Sequence, residues 1–240
     1  MARVISKAKD KDYLELWQQY CDNFKRETPI DLNERPHEKL KRIARLEKNP
    51  EEWFKYYFPH YCTAEPADFH KRATRRIIDH AEWFEVRAWS RELAKTARTM
   101  MEDIYLATTG QIKNLLMVSN SHGNAELLLL PYKACFEGNQ RLNNDYGKQP
   151  TFGDWKSDKF TIKKGCSFRA IGWGESPRGT RKDNFRPDKI NIDDIDTDEE
   201  CRNEEIQKNK LNWIEQALYG TRSISNPLRL IVNGNIIHDD

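Results

Sequence analysis

The spacing of apolar residues changes near residue 82. Before that point they recur every three or four positions. Tyr13, Leu16, Trp17 and Tyr20 form one stripe, and Leu40, Ile43 and Leu46 form another, as in helices that bury one face. A loop holding Pro29 and Pro36 lies between the two stripes. Asn49-Pro50-Glu51-Glu52-Trp53 has the order of a helix start: a capping side chain, proline at the first position, then acids in the first turn. A further helix is expected over 66–81, with Phe69, Ala73, Ile77 and Ile78 inward and Lys71, Arg72, Arg75 and Arg76 outward.

After residue 82 short apolar runs alternate with helical patterns. Strands are expected at 83–89, 114–119 and 229–237, and helices at 93–109, 124–137 and 204–219. Residues 160–173 pattern as a hairpin turning at Lys163-Lys164-Gly165, and 138–160 as a polar loop. In KINIDDI (189–195), Ile190 and Ile192 alternate with polar neighbours, the signature of a half-buried strand. Strands interleaved with helices predict an α/β fold whose mostly parallel sheet is covered on both faces. The chain therefore divides into a helical N-terminal part, 1–65, and an α/β core, 66–240.

Composition narrows the class. A net charge of +2 arises from 40 basic and 38 acidic side chains, a mosaic surface that neither demands nor excludes a polyanion partner. Five scattered cysteines, none spaced as CxxC, point to reduced thiols, with no zinc site and no disulfide framework. No apolar run approaches a membrane span. These features predict a soluble intracellular protein.

Two stretches carry candidate chemistry. Asp193 and Asp194 end the 189–195 strand, where open α/β sheets place ligands. Adjacent acids repel each other, and a Mg²⁺ held by the first with a water oriented by the second would account for them; a solvated acidic turn is the other reading. WSRELAKT (89–96) stands between a strand and a helix, with Lys95 and Thr96 at the helix start. A phosphate-binding loop has that order, but its two glycine positions are Trp89 and Ala94 here. Because alanine does not favour a positive φ, the loop is expected to bend differently from the usual one. Arg91 offers a compensating guanidinium, and Glu92 is expected to point away. An ordinary amphipathic helix start remains the alternative. The two stretches gain weight together: Lys-Thr on a helix, about a hundred residues, an apolar strand ending in Asp-Asp, then Asn233-Gly234-Asn235 after a further strand.

With SRELAKT (90–96), RPDKINIDDIDTDEECRN (186–203) and VNGNIIHDD (232–240), the chain resembles the ATPase domain of the phage terminase large subunit, a DNA-packaging motor. The resemblance spans about residues 66–240. It implies a P-loop NTPase fold of the ASCE type with a small N-terminal helical lid, and ATP and Mg²⁺ as ligands. Residue by residue, it implies phosphate binding by Ser90, Arg91, Glu92, Leu93, Ala94, Lys95 and Thr96. Arg91 would add charge stabilisation in cis, Thr96 and Asp193 would bind the metal, and Asp194, where many members have glutamate, would orient water. Asn233, Gly234 and Asn235 would couple hydrolysis to movement, although members usually read Gly-Thr where this chain has Gly234-Asn235. The resemblance also implies double-stranded DNA bound through its backbone, a homo-oligomeric ring, portal and small-subunit partners, and the host cytoplasm as location. The family's C-terminal nuclease is not expected within these residues.

Further candidates follow from position. Arg178 or Arg181 suits an arginine finger acting in trans, against a solvated basic loop. His70 stands where the resembling motors place an adenine-contacting segment, which implies contact with the base, against an ordinary helix-surface histidine. Lys39, Lys41, Arg42, Arg45 and Lys48, or the outer face of 66–81, would meet DNA phosphates. Trp155 and Trp173 pattern as core or interface aromatics. Two alternatives to the motor stand: another nucleic-acid-dependent ATPase, helicase-like, or a nucleotide fold that has lost hydrolysis and serves as an assembly scaffold.

Overall fold

The computed structural model describes residues 2–177, 179, 185–197 and 200–234. Four helices come first: α1 (Ala2–Glu27), α2 (Pro36–Lys48), α3 (Pro50–Tyr57) and α4 (Asp68–Asp79). The alternating part follows as β1 (Trp83–Arg87), α5 (Lys95–Thr108), β2 (Asn114–Ser119), α6 (His122–Gly138), α7 (Gln140–Tyr146), β3 (Lys159–Thr161), β4 (Ser167–Gly172), β5 (Lys189–Asp193), α8 (Glu204–Asn212) and β6 (Arg229–Asn233). The six strands form one sheet in the order β1-β6-β5-β2-β4-β3. Every neighbouring pair is parallel except β3 with β4. This is the mostly parallel α/β sheet that the alternating pattern predicts.

Local signals explain most boundaries. Asn49 caps α3 by accepting from the Glu52 N–H, with Pro50 at the first helical position. Gly165, at φ 93°, closes the β3–β4 hairpin at the expected turn. Two expectations of helix extent needed correction. The polar stretch 138–160 contains α7, whose start is capped by the Asn139 side chain accepting from Leu142 N–H at 2.9 Å. The helix expected over 204–219 is α-helical only to Asn212; Trp213–Leu218 continues as a π-helical turn.

Two hydrophobic clusters sandwich the sheet. On one side Phe24, Trp53 and Phe54 from the N-terminal helices join Tyr105, Leu115, Met117, Phe136 and Phe168 in a single cluster. Burying a side chain such as Phe54 contributes about 2–3 kcal/mol, so these helices are bound to the sheet by the core itself. Gly138 lets α6 approach α1: a Cβ there would lie 2.7 Å from the Cys21 carbonyl oxygen. On the other side Leu116, Val118, Ile190, Ile192, Leu218 and Leu230 pack together. That face stays open at the edge strand β1, where Phe84 and Val86 are exposed.

The alternation in β5 is not that of a half-buried strand. Lys189, Asn191 and Asp193 are all buried, as are Ile190 and Ile192. Parallel neighbours on both edges and helices on both faces leave this strand no solvent side. Its polar face meets a polar row on α5. Asp103 accepts from Tyr132 Oη at 2.8 Å and from Asn191 Nδ2, and its other oxygen lies 3.4 Å from Lys189 Nζ. Burial pushes Lys189 down to about 8 and pushes the Asp103 carboxyl up.

Candidate functional site

Register brings the strand ends together. Asn233 on β6 pairs with Arg87 of β1 on one edge and with Asp193 of β5 on the other. Beyond this row, at the C-terminal ends of the strands, lies a cleft of about 660 Å³. Its walls are the 90–97 segment, which runs into α5, and the acidic segment after β5. The sequence-predicted residues Ser90, Arg91, Glu92, Ala94, Lys95, Thr96 and Asp194 all border it.

Beneath the cleft lining, Thr96 Oγ1 donates to the buried Asp193 Oδ2 at 2.8 Å, and Asn233 Nδ2 donates to the same oxygen at 3.0 Å. Asp193 is 2% exposed, and its Oδ1 is buried without a hydrogen-bond partner. Burial raises its carboxyl pKa and Asp194 raises it further, while Asn233, Thr96 and Lys95 oppose the shift. An unpartnered buried carboxylate oxygen is costly unless a cation or water meets it. Among the described residues no group of three or more His, Cys, Asp or Glu could hold a metal. Two adjacent oxygen donors would suit Mg²⁺, which keeps water and phosphate oxygens and needs only one or two protein oxygens. Asp193 and Thr96 supply hard oxygen donors side by side.

The 90–94 segment corrects the expectation that Ala94 keeps a negative φ. Ala94 sits at φ 54° and ψ 28°, and Glu92 at φ 69°. The chain adopts left-handed angles without glycine, at a cost of about 1–2 kcal/mol per residue. Neighbours hold it there. Trp89, half-buried where a glycine was expected, packs on Phe69 and His70 of α4 and under the Arg87 guanidinium. His70 Nδ1 accepts from the Ala67 N–H at 3.1 Å, so Nε2 carries the proton and donates to the Leu93 carbonyl at 3.0 Å. With both nitrogens engaged, His70 latches the loop and has no free edge for a base. It borders a second cavity, of about 310 Å³, which shares Glu92 and Ala94 with the cleft. Lys95, 8% exposed, donates to the Trp89 carbonyl at 3.0 Å.

No protein-family model matches the chain, and no curated protein does.

Behind the cleft a buried polar path leads to the N-terminal helices. Thr99 Oγ1 accepts from Asn233 Nδ2 at 3.2 Å and from Arg87 Nη1 at 3.0 Å. Arg87, fully buried, pairs with Glu102 at 2.8 Å and Glu85 at 3.0 Å. Thr74 Oγ1 donates to Glu102 at 2.5 Å and accepts from Arg98 Nε at 2.8 Å. Arg98 also pairs with Glu51 of α3. Thr96, Thr99 and Asp103 therefore form one polar face of α5, aimed at Asp193, Asn233 and Asn191 in turn.

The remaining candidates separate. Asp194 is exposed at φ 46° beside the cleft, its carbonyl accepting from Ser119 Oγ at 3.4 Å. Gly234 donates its N–H to the Arg87 carbonyl at 3.2 Å, tying β6 to β1 beyond the last paired residues. Arg178, Arg181 and Asn235 lie outside the described residues. Arg42 is removed from the DNA-facing set, because its guanidinium bridges Glu34 and Asp145 at 2.6 Å each and is mostly buried. Trp155 and Trp173 pack against the two core clusters, as expected. Sequence reading missed Asn120, Asn124 and Asp196, which also border the cleft. Asn120 follows β2 at the same sheet edge, and the strand-end rule that located Asp193 points to it equally.

Proposed function

We propose that this chain is a P-loop ATPase domain that hydrolyses ATP to drive double-stranded DNA into a viral procapsid, as its resemblance to terminase large subunits implies. The observation that carries the ATPase reading is the convergence of Lys95, Thr96, Asp193 and Asn233 at adjoining strand and helix ends. The placing of β6 between the strand that leads to Lys95 and the strand that ends in Asp193 supports it as well.

The chemistry assigned to these residues is positioning and electrostatics. Lys95 and the backbone amides at the start of α5 bind the terminal phosphates, aided by the helix dipole. Thr96 and Asp193 would hold Mg²⁺, whose charge would offset that of the phosphate oxygens. Asp194 orients a water in line with the γ-phosphorus; a P–O bond forms to that water and the bond to the ADP oxygen breaks. Asn233 fixes the Asp193 carboxylate by donating to Oδ2, which leaves Oδ1 for the cation that Asp193 would hold. Arg91, exposed at the cleft, adds positive charge. DNA phosphates meet the exposed basic face of α4, Arg72, Arg75 and Arg76. The domain acts in the host cytoplasm, in a ring of like subunits with portal and small-subunit partners. Among the described residues no helix is long and apolar enough to cross a membrane.

The test is Mg²⁺-dependent ATP turnover by wild type, Lys95→Ala and Asp193→Ala, with and without double-stranded DNA. A fall of at least tenfold in both variants is expected; equal turnover in all three contradicts the assignment.

A further inference from the structure

We infer that Lys210, on α8 and remote in sequence from the cleft, is a positioning residue that fixes the Asp194 carboxylate for water activation. The inference rests on the ATPase reading and adds to it a residue that neither motif contains.

Lys210 is 3% exposed, and all three of its ammonium protons are committed to one segment. It donates to the Ile195 carbonyl at 2.7 Å, to Asp196 Oδ1 at 3.1 Å and to Glu200 Oε2 at 2.8 Å. Gln207, one turn earlier on α8, donates to Asp196 Oδ1 at 3.3 Å and to the Glu200 carbonyl at 3.1 Å. Glu200 in turn accepts from the Thr197 hydroxyl at 2.8 Å. The Lys210 ammonium holds the Glu200 carboxyl below its ordinary pKa range. Ile195, Asp196 and Glu200 are thus clamped to α8.

Asp194 is the single residue between this clamp and the strand. On one side Asp193 is fixed in β5 by its pairing with β6 and by Thr96 and Asn233. On the other, Ile195 is buried and its carbonyl is held by Lys210. Asp194 spans the two at φ 46°, a left-handed conformation that a non-glycine residue keeps only when its surroundings over-determine it. Releasing the Lys210 end leaves Asp194 held by β5 and by the Ser119 hydroxyl on its carbonyl, and the carboxylate then moves relative to the cleft. An ångström of misplacement in such a group lowers a rate by up to about 100-fold.

The fold should survive the test. Asp196 and Glu200 are each about one-third exposed, 34% and 31%, so water can solvate them once the ammonium is gone. Lys210→Met keeps the aliphatic stem, Lys210→Arg keeps the charge, and Gln207→Ala weakens the clamp from outside. Steady-state ATP hydrolysis is measured for each variant alone and in the Asp194→Asn background, beside binding of a fluorescent ADP analogue with Mg²⁺. The expected result is a loss of roughly 10- to 100-fold in kcat for Lys210→Met. KM and ADP affinity should stay within about twofold, Lys210→Arg should recover part of the loss, and Asp194→Asn should mask the effect. A Lys210→Met that weakens ADP binding as much as it slows turnover, or that slows Asp194→Asn by the same factor, overturns the inference. Equal turnover by wild type and Asp194→Asn instead overturns the hydrolytic reading. Amide exchange across 194–200 then decides the clamp: faster exchange in Lys210→Met upholds it, and unchanged exchange ends it.

Discussion

Thr96 Oγ1 donates a 2.8 Å hydrogen bond to Asp193 Oδ2, joining the first turn of α5 to the last residue of β5. The two residues belong to different motifs, 97 positions apart. Their contact makes one site of them.

Loss of the Thr96 hydroxyl should be felt mainly by the metal. Thr96→Val keeps the shape and removes the proposed oxygen ligand along with one partner of a buried carboxylate. Mg²⁺-dependent affinity for a fluorescent nucleotide is expected to fall about tenfold, the equivalent of 1.4 kcal/mol, and Thr96→Ser should retain it. Titration with and without EDTA separates the metal contribution. A loss that is the same in both conditions refutes the assigned role.

Asn233 links the site to the buried path through Thr99 and Arg87. Asn233→Ala leaves Asp193 Oδ2 and Thr99 each short of a partner in a buried setting, so unfolding free energy should drop by about 1–3 kcal/mol. Thr99→Val should cost less than Asn233→Ala, because Arg87 keeps its two carboxylate partners. The two substitutions should be non-additive by at least about 0.5 kcal/mol, since they share one network. Urea denaturation of the single and double variants measures this.

Ala94 occupies a left-handed position that glycine adopts freely. Ala94→Gly should relieve strain, partly offset by greater freedom in the unfolded chain, for a net gain of about 0.5–1 kcal/mol. Nucleotide binding should be unchanged, because the native angles are kept. A lower melting temperature for Ala94→Gly contradicts this account of the loop.

Lys189 makes the stability pH-dependent in a defined window. Its folded-state pKa is depressed to about 8, while an unfolded lysine titrates near 10.4. Between these values the folded state has lost the proton that the unfolded state keeps, so raising the pH favours folding. The contribution is fully present above the unfolded value and is lost as pH falls through about 8. Wild type should therefore gain stability relative to Lys189→Met as pH rises from 8 to 10. A constant difference across that range contradicts the burial assigned to Lys189.

Much of this arrangement was legible in the sequence. Apolar spacing located the strands and most helices, a Lys-Thr pair at a helix start located Lys95 and Thr96, and strand-end logic located Asp193 and Asn233. The features that escaped it share a physical cause. Alternation in β5 shows that Lys189 and Asn191 face one way, but only the polar row Thr96, Thr99 and Asp103 on α5 reveals that this way is inward. Trp89 and Ala94 break the glycine pattern, and their compensation comes from Phe69 and His70, twenty residues away on α4. Lys210 looks like any surface lysine on a polar helix until the chain folds back and buries its head against Ile195. Such pairings are made by tertiary packing, and no local window of sequence contains them.

The most direct test of the central claim is a crystal structure of the chain with Mg²⁺ and a non-hydrolysable ATP analogue. The account predicts the β- and γ-phosphates at the start of α5 within reach of Lys95 Nζ, and the metal in contact with Thr96 Oγ1 and Asp193. A nucleotide bound elsewhere, such as in the cavity of about 850 Å³ beside Trp213, with Thr96 and Asp193 still bonded only to each other and to Asn233, would contradict it.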